Sequence, residues 1–264
     1  MTVARHTHVG ARLLSLTATA ANAVRVGAGQ QGRRARSRSL QEVCARGLAG
    51  HGVQVSQHGA FLDEPHIVVA NHVSWIDPLV VASLLPVTPI AKQEVRRWPL
   101  VGPLCEAMGC MFVKRGDVAS GASVLRSARA ALRESVSVLG FPEGTTRPVG
   151  TGLGPFHRGL FGLARRVKVP IVPVFLRYDD PATAWVGDDP FVPHWLSVVR
   201  RPRTTVTVFV GVPSRPLPGA PLGRFVDEVR RALADLGDAR AIVVDHAAAQ
   251  QATSARTAPS SKAA

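Results

Sequence analysis

The segment Asn71-His72-Val73-Ser74-Trp75-Ile76-Asp77 places an imidazole and a carboxylate five residues apart, directly after the apolar run Ile67-Val68-Val69-Ala70. A carboxylate on one ring nitrogen fixes the tautomer and leaves the other nitrogen free to take a proton. A histidine with an ordinary pKa of about 6.5 is suited to that role near neutral pH. A second polar cluster, Phe141-Pro142-Glu143-Gly144-Thr145-Thr146-Arg147, follows another apolar run and offers a carboxylate, a glycine, two hydroxyls and a cation. A base held by an acid, with a separate polar loop carrying a cation, is equipment for activating a hydroxyl on an anionic substrate.

Residues five apart on one continuous helix point away from each other, so the elements must provide the meeting. The β-branched run 67–70 reads as a buried strand. Asp77-Pro78 reads as a helix start, with Asp77 at the N-cap and Pro78 at the first helical position. His72 then leaves a strand end and faces Asp77 across a strand–loop–helix turn. Arg115 follows the apolar Met111-Phe112-Val113, and the second cluster follows Val136-Ser137-Val138-Leu139. Ligands of open α/β sheets bind outside the carboxyl ends of strands, so three such ends point to one shared mouth. Arginine suits bidentate phosphate contacts there. Taken singly, each residue has a blander explanation: a histidine after a strand is commonly a bystander, an aspartate a helix cap, a strand-end arginine merely solvated. Zinc is disfavoured, because no second histidine sits at i+4 and no cysteine pair has ligand spacing.

The segment NHVSWID resembles the N-H-x-S-x-x-D block of the glycerolipid acyltransferases, the 1-acylglycerol-3-phosphate acyltransferase family. Gly109-Cys110-Met111-Phe112-Val113-Lys114-Arg115 is similar to the family's second block, FPEGTTR at 141–147 to its third, and Val169-Pro170-Ile171-Val172-Pro173-Val174 to its fourth. The order and spacing agree over roughly residues 60–180. The resemblance implies that His72 is the general base, that Asp77 orients and polarises it, that Arg115 binds the acceptor's phosphate, and that Glu143 and Gly144, with Thr145 and Arg147 beside them, shape the acceptor pocket. It implies an acyl donor that is acyl-CoA or acyl-carrier protein, and a lysophospholipid acceptor, first of all 1-acyl-sn-glycerol-3-phosphate giving phosphatidic acid. Two departures bear on the head group. Lys114 stands where an acidic or small polar residue is common, and Thr146-Arg147 replaces Arg-Ser, moving the cation one residue along. The alternative acceptor is another lysolipid, such as a lyso-aminolipid.

The chemistry is consistent with direct transfer. No G-x-S-x-G elbow is present, and Ser74 lacks the strand–Ser–helix context of a nucleophile, so a ternary complex without an acyl-enzyme is expected.

The chain of 264 residues, 46% of them hydrophobic, is long enough for one α/β domain with tails. Apolar runs alternate with helix candidates near 117–134, 157–168 and 221–236, and 205–210 reads as a late strand. This predicts a single α/β domain with a mostly parallel central sheet flanked by helices. No internal repeat is visible. Domain bounds follow composition: 1–50 as a basic N-terminal helical or loop segment in possible contact with a membrane, 51–246 as the acyltransferase domain, and 247–264 as a disordered tail.

Residues 1–50 hold eight arginines and one acid (8 − 1 = +7), half of the chain's +14. Residues 9–28 could form an interfacial amphipathic helix with arginines facing lipid phosphates, and Gly27 to Arg38 reads as a loop. No stretch has the roughly 20 apolar residues that span a bilayer. A peripheral location on the cytoplasmic face of an anionic membrane is the expectation. Arg-rich N-termini also occur in organelle transit peptides, whereas a secretory signal is disfavoured. Nucleic acid is the rival partner for so basic a chain. With aromatic content of 5% and a single tyrosine, stacking platforms are scarce, so nucleic-acid binding is not expected. Cys44, Cys105 and Cys110 read as reduced thiols acting as small fillers, and no metal or redox cofactor is implied.

Overall fold

The computed structural model describes residues 29, 32–98, 101–187 and 189–238. Among these, seven strands form one sheet: β1 (Val53–His58), β2 (Ile67–Ala70), β3 (Val87–Lys92), β4 (Met111–Val113), β5 (Ser137–Gly140), β6 (Ile171–Tyr178) and β7 (Thr204–Val210). Their spatial order is β1-β7-β6-β2-β5-β3-β4. Every neighbouring pair is parallel except β6 with β7. The helices are α1 (Arg33–Gly50), α2 (Asp77–Leu84), α3 (Val101–Ala107), α4 (Val118–Arg133), α5 (Gly159–Val167), α6 (Phe191–Val199) and α7 (Leu222–Asp238).

Both faces of the sheet are covered, which is why β2 and β5 are buried along their whole length and read as unbroken apolar runs. On one face α1 and α2 pack Leu40, Val43, Leu48, Val80 and Val81 against β2 and β6. On the other, α4, α5 and α7 pack Val124, Ala128, Phe161, Ala164, Phe225 and Val229 against β2 and β5. The faces follow from chirality. The chain leaves β2 through α2 towards β3, and leaves β5 through α5 in the opposite direction towards β6. Right-handed crossovers moving in opposite directions must place their helices on opposite faces. Because β2 and β5 are neighbours, the crevice between their carboxyl ends is the topological switch point, where open α/β sheets take their ligands.

Two sequence readings need correction. Asp77 is the first residue of α2, with Ile76 at the N-cap. The presumed loop Gly27 to Arg38 is helical from Arg33 onward, and α1 belongs to the core through Ser37, Leu40, Val43, Cys44 and Leu48. Arg and Ser at its start disguise a helix whose stability comes from tertiary packing. The candidate interfacial helix 9–28 and the tail 247–264 lie outside the described residues. No helix among the described residues is long and apolar enough to cross a membrane, and no three His, Cys, Asp or Glu side chains gather there as a metal site would need. Cys44, Cys105 and Cys110 are free thiols. Burial pushes the Cys44 thiol's pKa up, and Cys105 and Cys110, joined by a hydrogen bond, are pulled down and up respectively.

Candidate active site

The turn after β2 is pinned at its first residue. The Asn71 amide donates to Leu176 O (3.0 Å) and accepts from Leu176 N (2.7 Å), continuing the β2–β6 ladder past the last strand residue. The chain then wraps round the Asp77 carboxylate, which has no exposed surface. Its Oδ2 accepts from His72 Nδ1 at 2.8 Å, Val73 N at 2.6 Å and Ser74 N at 2.8 Å, and its Oδ1 accepts from Tyr178 Oη at 2.5 Å. Four donors and the N-terminal end of α2 compensate the buried charge. The carboxylate turns back on the loop rather than capping its helix. The imidazole stacks on Phe141, centroids 4.1 Å apart, and remains 17% exposed. Among the described residues its Nε2 has no hydrogen-bond partner, so that nitrogen is the one available to a substrate.

The turn after β5 locks onto the first. Glu143 accepts from His72 N (3.3 Å) and Gly154 N (2.7 Å), while Arg147 N donates to His72 O (2.8 Å). The Arg147 Nε lies 3.6 Å from Glu143 Oε2, too far for a hydrogen bond, and is buried without one. Among the described residues no side-chain hydrogen bond holds this guanidinium, and with about a third of the side chain exposed its outer nitrogens can meet another anion. Gly144 has φ +69°, and a Cβ there would stand 2.8 Å from the His157 ring. A Cβ on Gly154 would stand 2.9 Å from Arg147 Nη1. Both glycines are set by close approach within the turn.

His72, Asp77, Glu143, Gly144 and Arg147 therefore share one pair of interlocked turns. Thr145 belongs to the same turn and is exposed. Arg115 stands apart. It is exposed beyond β4, three strands from β2, a lateral separation of about 14 Å at the spacing of neighbouring strands. Partial burial lowers its proton affinity while the Glu94 carboxylate raises it, and an arginine remains a cation at neutral pH in either case. It lies at the same end of the sheet as His72, with a gap between them that an extended guanidinium and a head group would have to fill.

Two contributions escaped the sequence reading, those of Tyr178 and Asn71. Tyr178, the only tyrosine in the chain, lies 101 residues from the carboxylate it binds. Burial and the Asp77 charge hold its phenol well above the usual pKa, so it stays a donor. Asn71 fixes the turn rather than the substrate. Ser74 is fully buried, its Oγ without a partner among the described residues, and out of reach of any substrate in this arrangement. The one usable signal for Tyr178 was its place at the end of an apolar strand.

A family-wide profile for the Acyltransferase family matches residues 49–177. The lyso-ornithine lipid O-acyltransferase of Pseudomonas aeruginosa is 36% identical over 196 residues, covering 71% of this chain and 74% of that protein. The human 1-acyl-sn-glycerol-3-phosphate acyltransferase alpha is 37% identical over 132 residues, covering 48% of this chain and 46% of that protein. The crystal structure of the 1-acyl-sn-glycerophosphate acyltransferase PlsC from Thermotoga maritima superposes with a TM-score of 0.66 at 19% identity, over 91% of this chain and 98% of that one, a likeness of fold.

Proposed function

The chain belongs to the glycerolipid acyltransferase family and is an O-acyltransferase, and on that premise we propose that His72 and Asp77 carry acyl transfer from a thioester to the free hydroxyl of a lysolipid. The observation that carries this reading is the His72–Asp77 bond at 2.8 Å, with the opposite edge of the ring open to a substrate. His72 Nε2 takes the hydroxyl proton as the oxygen attacks the thioester carbon. The tetrahedral intermediate then collapses, the C–S bond breaks, and the departing thiolate recovers the proton from the imidazolium. The buried Asp77 charge stabilises that imidazolium in between. The base supplies roughly 10²–10⁴-fold, and holding both substrates together supplies much of the remainder. The burial of Ser74 favours this direct route over an acyl-enzyme.

Arg147 and Arg115 favour an acceptor with a phosphate, 1-acyl-sn-glycerol-3-phosphate, giving phosphatidic acid. A second reading has its own support: the relative matched over 74% of its length is a lyso-ornithine lipid acyltransferase, and an ornithine head group offers a carboxylate and an ammonium in place of phosphate. The donor is acyl-CoA or acyl-carrier protein, and the basic residues 1–50 hold the protein to the cytoplasmic face of an anionic membrane. The test is purified protein with both donors and a panel of lysolipid acceptors. Product with at least one lysolipid supports the reading, and no ester product with any acceptor overturns it. A phosphate-bearing acceptor preferred tenfold or more selects the first acceptor, and the reverse selects the second.

A further inference from the structure

All four tryptophans of the chain gather at the active-site end of the sheet. Phe191, the first residue of α6, is their hub. Trp98 stacks on it at 4.3 Å, and Trp75 and Trp185 meet it edge-on at 5.5 and 5.9 Å. Trp195 joins through His51, whose ring lies 6.2 Å from Trp195 and 5.5 Å from Trp75. The platform is tied to the catalytic turn, since Trp185 N donates to Val73 O at 2.9 Å.

Helix α6 is apolar yet buries only Val198 and Val199. Phe191, Trp195 and Leu196 are half-buried, and Val192 is 58% exposed. Two more exposed apolar side chains share this end: Val118 (87%) heads α4 just past Arg115, and Val149 (46%) follows Arg147. The remaining large ones among the described residues, Val212 and Leu217, follow β7, which runs opposite to β6 and so ends at the far edge. Three of the indoles donate within the protein, Trp75 to His194, Trp185 to Asp189 and Trp195 to His51, so these rings can meet an apolar phase without stranding a donor. Exposed Arg97, Arg200 and Arg203 flank Trp98 and α6 and form no ion pair among the described residues. Aromatic rings, outward apolar tips and unpaired arginines on one rim match the layered chemistry of a bilayer surface, apolar below and anionic above. A soluble acidic partner would use the arginines but leave the apolar tips in water.

We propose that this rim is a membrane-docking face, in which α6, Trp98, Val118 and Val149 enter the interfacial layer of an anionic bilayer, as a contact additional to residues 1–50. The inference rests on the lysolipid reading, and gives it a route: an acceptor reaches His72 without leaving the lipid phase. Tryptophan emission tests it, because residues 1–31 and 239–264 contain no tryptophan and the signal reports this face alone. The full chain is mixed with anionic vesicles whose acyl chains carry bromine. The expected result is a blue shift with quenching by about half or more. In Val118→Asp/Val149→Asp/Val192→Asp, quenching should vanish and partition should fall by at least about tenfold. Turnover of a short-chain lysolipid below its micelle concentration should hold, and Val212→Asp/Leu217→Asp should behave as wild type. Binding without quenching, a triple variant quenched like wild type, or loss of an acidic carrier protein's binding instead of vesicle binding would each overturn the proposal. Quenching with no ester product from any lysolipid would leave the docking face standing and sink the enzymatic reading.

Discussion

Strand β2 has a histidine just outside each end, and the two have been given opposite fates. His66, before the strand, is sealed in the core. Its Nδ1 lies 2.8 Å from Glu64 O and 3.3 Å from Ser137 Oγ, and its buried Nε2 has no partner among the described residues. Burial lowers its proton affinity, overriding the opposing pull of Glu64. His72, after the strand, has one nitrogen on a carboxylate and the other edge of its ring uncovered. The same side chain, six residues along, is a structural wedge at one end and, in the function proposed above, a base at the other. What separates them is the partner of the held nitrogen, a carbonyl dipole against a full negative charge, and access to the free one.

The largest expected effect breaks the comparison at its active end. His72→Ala should lower kcat by about 10³-fold or more, with the thermal midpoint shifted by no more than a few degrees, because the ring is partly exposed and its loss leaves the Asp77 carboxylate three donors. Steady-state rates and thermal denaturation on the same preparation check both halves. A variant retaining a tenth of wild-type turnover would return His72 to the class of His66.

Asp77→Asn comes next, at about 10²-fold in kcat. The amide oxygen can keep the three donors on Oδ2, and the amide nitrogen can donate to Tyr178 once that hydroxyl turns round. Geometry is thus retained and only the charge that steadies the imidazolium is lost, so the variant should fold and bind acceptor with a KM within about threefold of wild type. Rapid unfolding of this variant would show the charge to be structural.

Much of this was legible in the sequence where the signal is local. The run 67–70 became a buried strand with the expected bounds, the helix expected near 117–134 is α4, and Asn71 to Asp77 already contained the imidazole and the carboxylate that meet. The illegible parts are contacts over long separations. Nothing near Asp77 announces Tyr178, and nothing near Glu143 announces Gly154. The uncharged stretch from Pro78 to Ala91 hides the break between α2 and β3, because a buried helix and a buried strand are both simply apolar. The helical start of α1 failed for the converse reason, a polar stretch made helical by residues further along it. A place at a strand end suggests that Arg115 shares one mouth with His72, but strand order, which sets the distance between them, is a property of the whole sheet.

Tyr178→Phe sharpens the comparison further. It leaves Asp77 Oδ1 buried with no donor, a cost of about 1–3 kcal/mol in stability, and it frees the carboxylate to shift. We expect a several-fold loss in kcat together with a lower denaturant midpoint. Because the phenol in Asp77→Asn has reversed its hydrogen bond, the double variant should lose less than the product of the two single losses in kcat.

The smallest effect lies at the quiet end of β2 and belongs to stability alone. The lowered His66 pKa means that the unfolded chain, with its ordinary value of about 6.5, takes up a proton more readily than the folded one. The stabilisation is therefore complete above about pH 6.5 and is lost as pH falls from there towards the folded value, by at most about 1.4 kcal/mol per pH unit. His66→Asn can still donate to Glu64 O but carries no titrating group. Its urea midpoint should drop less than that of wild type between pH 7 and pH 5.5, while kcat at pH 7 stays unchanged. Equal drops in the two proteins would mean that the proton enters elsewhere, and a fall in kcat would mean that the two ends of β2 are coupled after all.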